Sequence, residues 1–308
     1  TFYLESIALH EASGNRIGYG IAARGLGDVA RAEADFVSSV AWYEKSVAVQ
    51  RENGHVVPLF NALSNLAISL HHQGNYERAL PIIEEAVRII DAAGADRQTM
   101  WALRIYGMVL HGLERYAESV PLLERSIAIC RTMKMDGTLS YPLTNHGYGM
   151  WVQGDYARAQ ALCDEAVHLF VLNGDRWGQG YSLTNLGRIA LSQGDLAAAR
   201  ARYGQSLQIF KLLGNCSTVA ESLSGMAAVL LAEGAAESAA QVCGATTALL
   251  EQIGSALMPA DRRAFDLTMD QLRSVLPAAE WSEAFGRGAL LDWRDAIDLA
   301  AQPVNYPA

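Results

Sequence analysis

The sequence predicts an all-α, right-handed superhelical solenoid of helix-turn-helix repeats with a C-terminal helical cap, and three rows of residues predict it. Gly14, Gly54, Gly94, Gly174, Gly214 and Gly254 recur at one or two multiples of forty, with Lys134 in the skipped slot. A second row reads Gly27, Ala67, Gly107, Gly147, Gly187 and Ala227, and a third reads Phe36, Tyr76, Tyr116, Tyr156 and Leu196. Self-similarity at a fixed period of this size marks a stack of supersecondary units, each burying its apolar face against its neighbours.

Residues 175–214 show how one copy is built. Leu183, Leu186, Gly187 and Ala190 recur at i, i+3, i+4 and i+7, the buried stripe of a first helix. Gln193-Gly194-Asp195 breaks it, because glycine accepts the left-handed turn after a helix and aspartate caps the next one. Leu196, Ala199, Tyr203, Ser206 and Leu207 then line the inner face of a second helix, and Leu213-Gly214-Asn215 ends the unit. Small residues at the Gly187 and Ala199 phases imply close approach of helix backbones.

Six such copies are expected over 15–254, preceded by a half copy over 1–14 and followed by a cap and tail over 255–308. The opening Tyr3-Leu4-Glu5-Ser6-Ile7-Ala8-Leu9 matches Tyr203-Gly204-Gln205-Ser206-Leu207-Gln208-Ile209, so the sequence starts in mid-repeat and reads as part of a longer protein. In the tail, Pro259-Ala260-Asp261 is expected to start and cap a helix running to about 276. Trp281, Ala284 and Phe285 start a short helix that Gly286 and Gly288 should break, and Leu290–Ala301 reads as a last one. Residues 302–308, with two prolines, are expected to fray.

Composition narrows the function classes. Hydrophobic residues make up 51% and charged residues 19%, the balance of a folded chain. A net charge of −9 disfavours a phosphate backbone or an anionic membrane as direct partner. Cys130, Cys163, Cys216 and Cys243 form no CxxC pair, and three of them fall on apolar phases of second helices. That usage fits a reducing cytoplasm and argues against a disulfide framework or a zinc site. No apolar run is long enough to span a bilayer.

The spacing Leu183–Leu186-Gly187–Ala190–Ala199–Tyr203–Ser206 resembles the tetratricopeptide repeat signature. It departs from the signature with Leu and Ala at two aromatic positions, Ser at the last Ala, and a period of forty rather than thirty-four. A second resemblance lies in 244–300, through Ile253-Gly254, Pro259, Arg262, Trp281 with Phe285, Gly288 and Ala296-Ile297. This stretch is similar to the C-terminal end of bacterial LuxR-type and related signalling-ATPase transcriptional regulators. The resemblance implies a sensor or scaffold region, with the effector domain lying N-terminal to it. It supplies no functional residues here, since the family's ATPase and DNA-binding motifs have no counterpart in this chain.

The expected site is the concave groove. Counting phases from Leu183 places Trp101, Arg104, Tyr141, Tyr148, Trp151, Tyr181 and Arg188 on it, an aromatic and arginine composition typical of binding hot spots. The opposing reading packs these rings on each other or on the tail. Asn65, Asn145 and Asn185 share one further phase, where a primary amide both donates to and accepts from an extended peptide. The resemblance to peptide-binding tetratricopeptide proteins implies that role for these three positions, against a structural bond to a neighbouring helix. Gly25, Ile105 and Gly225 interrupt the row.

His71, His72 and His111 lie close in this register, but the next position of their phase is Trp151, which cannot ligate a metal. His146 sits on the buried stripe as a core histidine. No GxxxxGK[ST], GxSxG or HExxH pattern occurs, and Glu114 beside His111 lacks a nucleophile or oxyanion site. The sequence therefore assigns no catalytic residue, metal or cofactor. It describes a ligand- or protein-sensing module of a cytoplasmic regulator, binding a peptide, protein or small molecule in the groove. The alternatives are an interaction or self-assembly scaffold, and an enzyme with a helical-repeat pocket.

Overall fold

The computed structural model describes residues 2–216 and 218–302; the end of the tail expected to fray lies, from 303 on, outside the described residues. Among the described residues there are sixteen helices and no strand. The chain divides into two compact units, Thr1–Met135 with Ile253–Ala256, and Asp136–Gln252 with Leu257–Ala308.

The first unit holds α1 (Phe2–Ser13), α2 (Arg16–Ala32), α3 (Phe36–Asn53), α4 (Val56–His72), α5 (Tyr76–Ala92), α6 (Asp96–Gly112) and α7 (Tyr116–Thr132). Each helix packs on the next, and the first helices of successive hairpins, α2, α4 and α6, also touch. Phe60, Leu63, Ile83, Ile90 and Ile105 form the centre of its core.

The second unit holds α8 (Asp136–Val152), α9 (Tyr156–Leu172), α10 (Arg176–Ser192), α11 (Leu196–Leu213), α12 (Val219–Ala232) and α13 (Ala236–Ile253). Three further helices follow: α14 (Pro259–Val275), α15 (Ala278–Ala289) and α16 (Trp293–Ala301). Helix α14 packs on α12, while α16 packs on α11 and α12.

The rows in the sequence have physical causes. Every twentieth residue from Gly14 to Gly254 takes a positive φ, so both turns of each hairpin end their helix in the left-handed conformation. Ala34, Glu114 and Lys134 hold it without being glycine. Phe36, Tyr76, Tyr116, Tyr156 and Leu196 are each the first residue of a second helix. Asp35, Asp155, Asp175 and Asp195 cap the helices after them, each accepting from the backbone N–H three residues on at 2.9–3.1 Å. Gly187 is glycine for contact: a Cβ there would lie 2.8 Å from the ring of Tyr203.

Ser206 stands where the repeat signature has alanine, and its hydroxyl donates to Gly180 O at 2.8 Å. Ser126 does the same to Met100 O and Ser46 to Gly20 O, so alternate copies tie the two helices of their own hairpin together through a buried hydroxyl.

Two expectations for the tail are corrected. Helix α15 runs through Gly286 and Gly288, and the chain breaks only at Leu290–Asp292. A Cβ on Gly288 would lie 1.9 Å from Gln241 O, and one on Gly244 would lie 2.0 Å from Phe285 O. These glycines let α13 and α15 meet backbone to backbone. Asp261 does not cap α14 either: Met258 is the N-cap residue, Pro259 opens the helix, and the Asp261 carboxylate points into the fold.

Candidate functional site

The residues expected in the groove fall in both units. In the first unit, Trp101 and Arg104 stand one turn apart on α6. The guanidinium lies 4.1 Å from the Trp101 ring centroid and Nη1 reaches Met108 Sδ at 3.1 Å. Arg104 is buried beneath this stack and Trp101 is half-buried.

Next to them lies the histidine group. His71 packs edge-on to Tyr76, with ring centroids 5.4 Å apart, and His72 stacks on Phe36 at 4.5 Å. Burial holds His71 well below the usual imidazole range, and His72, His111 and Arg104 push it further. Burial, with Arg31 adding to it, brings His72 down to about 4. The hydroxyl of Ser119 donates to Tyr116 O at 2.7 Å, so it accepts from His111 Nε2–H at 2.8 Å. His71 and His72 are thus neutral packing histidines. The backbone carbonyl of His72 accepts from Ala256 N and from Ser255 Oγ, both at 2.9 Å.

The second unit gathers the other seven residues into two groups. In the first group, Tyr141 donates to Asp175 Oδ2 at 2.7 Å and packs edge-on to Phe170. Trp177 bridges it to Tyr181, on which it stacks at 5.5 Å. The Tyr181 hydroxyl reaches Asn145 Oδ1 at 3.4 Å, while Asn145 Nδ2 is buried with no hydrogen-bond partner among the described residues.

The second group centres on Arg188 of α10. Its side chain is 4% exposed. Nε donates to Asp261 Oδ1 at 2.7 Å and Nη2 to Asp261 Oδ2 at 3.1 Å, a forked grip on one carboxylate. Nη2 also reaches Glu221 Oε2 at 2.6 Å and Nη1 reaches Asn185 Oδ1 at 2.5 Å. The Tyr148 hydroxyl donates to Asp261 Oδ2 at 3.3 Å. The Tyr148 and Trp151 rings flank the guanidinium at 5.4 and 6.0 Å, and Trp151 Nε1 is fixed by Ser192 Oγ at 2.8 Å. Asn185 Nδ2 donates to Thr144 O at 3.3 Å, a bond to the neighbouring first helix. Burial raises the Glu221 carboxyl, Arg188 lowers it, and Asp261 raises it again.

The buried His146 accepts at Nε2 from the exposed Arg158, whose Nη2 lies 3.3 Å away. Glu114 is exposed on its left-handed turn. The sequence reading missed Trp177 and Asp261. Trp177 falls in the first turn of α10, one turn before the phases counted from Leu183. Asp261 looked like a helix cap, and nothing local says that its partner is 73 residues away.

Residues 58–132 and 140–212 match the tetratricopeptide repeat family. Among curated proteins no match was found. Several solved structures share the fold at low identity. A Rap protein complexed with competence and sporulation factor has a TM-score of 0.62 at 12% identity, covering 90% of this chain and 80% of that one. The Rap conjugation gene regulator of plasmid pLS20, in complex with the Phr* peptide, has a TM-score of 0.59 at 11% identity, covering 84% and 75%. BtubC from P. vanneervenii has a TM-score of 0.54 at 18% identity, covering 69% and 89%. No described helix is long and apolar enough to cross a membrane.

Proposed function

We propose that this chain is a non-catalytic sensor module of a cytoplasmic bacterial transcriptional regulator, and that it binds a peptide or protein segment on the faces of its first helices. The observation that carries the reading is the Arg188 group: a buried guanidinium on α10 walled by Tyr148 and Trp151 of the adjacent first helix, α8. Aromatic and arginine side chains in this arrangement carry most of the energy in peptide recognition. The half-exposed Tyr181 and Trp177 and the spare amide of Asn145 extend the same face. Of two proteins of similar fold cited above, one was solved in complex with competence and sporulation factor and the other with the Phr* peptide. The resemblance of the tail to signalling-ATPase regulators supports the regulatory setting.

The test is a thermal-shift screen of the chain against extended peptides, with Trp151→Ala alongside. A ligand at a hundred times its dissociation constant adds about 2.7 kcal/mol of stability. A shift in wild type that the variant loses supports the face; peptide shifts identical in both place binding elsewhere.

A second reading, an interaction scaffold, rests on a different surface of the second unit. Val171 and Leu172 at the end of α9, and Leu212 and Leu213 at the end of α11, are exposed apolar side chains. Concentration-dependent mass in solution, abolished by Leu172→Glu with Leu212→Glu, is its expected signature.

A further inference from the structure

The Arg188 group is built like a recognition site that already holds something. Its donors, Arg188 Nε and Nη2 and the Tyr148 hydroxyl, come from the repeat helices α8 and α10. The carboxylate that they grip comes from Asp261, on a helix beyond the repeats. Arg188 and the flanking Trp151 are also held independently of Asp261. Glu221 and Asn185 bind the guanidinium on its other edges, and Ser192 fixes Trp151. Were Asp261 to leave, Arg188 would keep a counter-charge and its orientation.

Local structure makes that departure a one-turn event. Asp261 is the third residue of α14, in the first turn that Pro259 opens. Phe265, Met269 and Leu272, further along, are the apolar residues that α14 buries. The first turn can therefore unwind while the rest of the helix stays docked.

We infer that the Arg188–Tyr148–Trp151 group is a carboxylate subsite, and that Asp261 is its resident occupant, exchanging with the acidic side chain of a peptide partner. This inference rests on the peptide-binding reading above and narrows the partner to a segment carrying Asp or Glu. A tethered occupant lowers the apparent affinity of an outside ligand by the fraction of time the subsite is filled, so release of the first turn of α14 and peptide binding are the same equilibrium.

The test uses the full chain as wild type, Asp261→Ala, which vacates the subsite, and Asp261→Asn, which removes the charge at constant volume. The probes are capped, fluorescein-labelled pentapeptide pools with Asp, Asn or Lys fixed at the centre, and an uncapped pool whose only carboxylate is its C-terminus. Anisotropy should show central-Asp peptides binding Asp261→Ala at least tenfold more tightly than wild type, with no gain for central-Asn or central-Lys pools. Tyr148→Phe, placed on Asp261→Ala, should reverse part of that gain by removing one donor. If the uncapped pool alone gains, the subsite takes a chain terminus and the side-chain assignment is overturned. Pools that bind wild type and both Asp261 variants equally overturn the inference and leave the peptide-binding reading standing. Pools that bind none of three folded proteins overturn both.

Discussion

Arg188 holds Asp261 through two hydrogen bonds, 2.7 and 3.1 Å long, across 73 residues of sequence, and both side chains are almost wholly buried. The pair is one corner of a larger group, because Glu221 sits on the same guanidinium. Two carboxylates thus share one buried cation, and the consequences of removing each member differ.

Removal of Asp261 leaves Arg188 paired with Glu221, whereas removal of Arg188 strands the buried Asp261 carboxylate beside the part-buried Glu221. Breaking a buried pair costs about 3–5 kcal/mol when it strands a charge. Arg188→Leu should therefore lose at least that much in chemical denaturation, and Asp261→Asn should lose clearly less, on the order of 1–3 kcal/mol. Equal losses would mean that Glu221 contributes nothing to holding Arg188.

The close approach at Gly187 sets a second expectation. A Cβ there would meet the Tyr203 ring at 2.8 Å, and Tyr203 is itself fully buried, so it has nowhere to turn. Gly187→Leu should destabilise by more than about 3 kcal/mol or prevent folding. Gln205→Leu, on the exposed side of α11, should change stability by less than about 0.5 kcal/mol. Thermal unfolding of the two variants side by side checks both.

Such contacts explain why the fold was legible in the sequence and the site was not. Gly187 opposite Tyr203, and the left-handed residue at every twentieth position, are demands that recur in each copy, so they leave a periodic trace. Ser206 already blurs that trace, since its hydroxyl bond to Gly180 O looks in sequence like a departure from alanine. Asp261 leaves no trace, because its partner is fixed by the docking of α14 on α12 and not by any local spacing. Phase counting put Tyr148, Trp151 and Arg188 on one face, but it did not show that a residue of the same chain fills the space between them.

Left-handed residues that are not glycine give a third expectation. Lys134 has φ 53° and an exposed side chain, so its backbone carries the strain of the left-handed region. The left-handed region costs a non-glycine residue about 1–2 kcal/mol, and glycine returns about 0.4–1 kcal/mol to the unfolded chain. Lys134→Gly should gain roughly 0.5–1 kcal/mol as the difference. Gly174, at φ +69° with open space around a Cβ, is the mirror experiment, and Gly174→Ala should lose about 1 kcal/mol. Denaturant midpoints would show the opposite signs.

His72 gives the pH dependence. Its imidazole is held down to about 4 by burial, with Arg31 adding to it, against about 6.5 in the unfolded chain. Above the unfolded value both states are neutral and the residue contributes no pH dependence. As pH falls below it, the unfolded chain takes up a proton that the folded chain refuses, so stability drops until the folded value is reached. A gap of about 2.5 units corresponds to roughly 3 kcal/mol lost between pH 6.5 and 4. His72→Phe keeps the stack on Phe36 and removes the proton site, while the backbone carbonyl that accepts from Ser255 and Ala256 is unchanged. The stability difference between wild type and His72→Phe should therefore move in the variant's favour as pH falls across that window and stay flat above it. A constant offset at every pH would show that His72 does not lose its proton on folding.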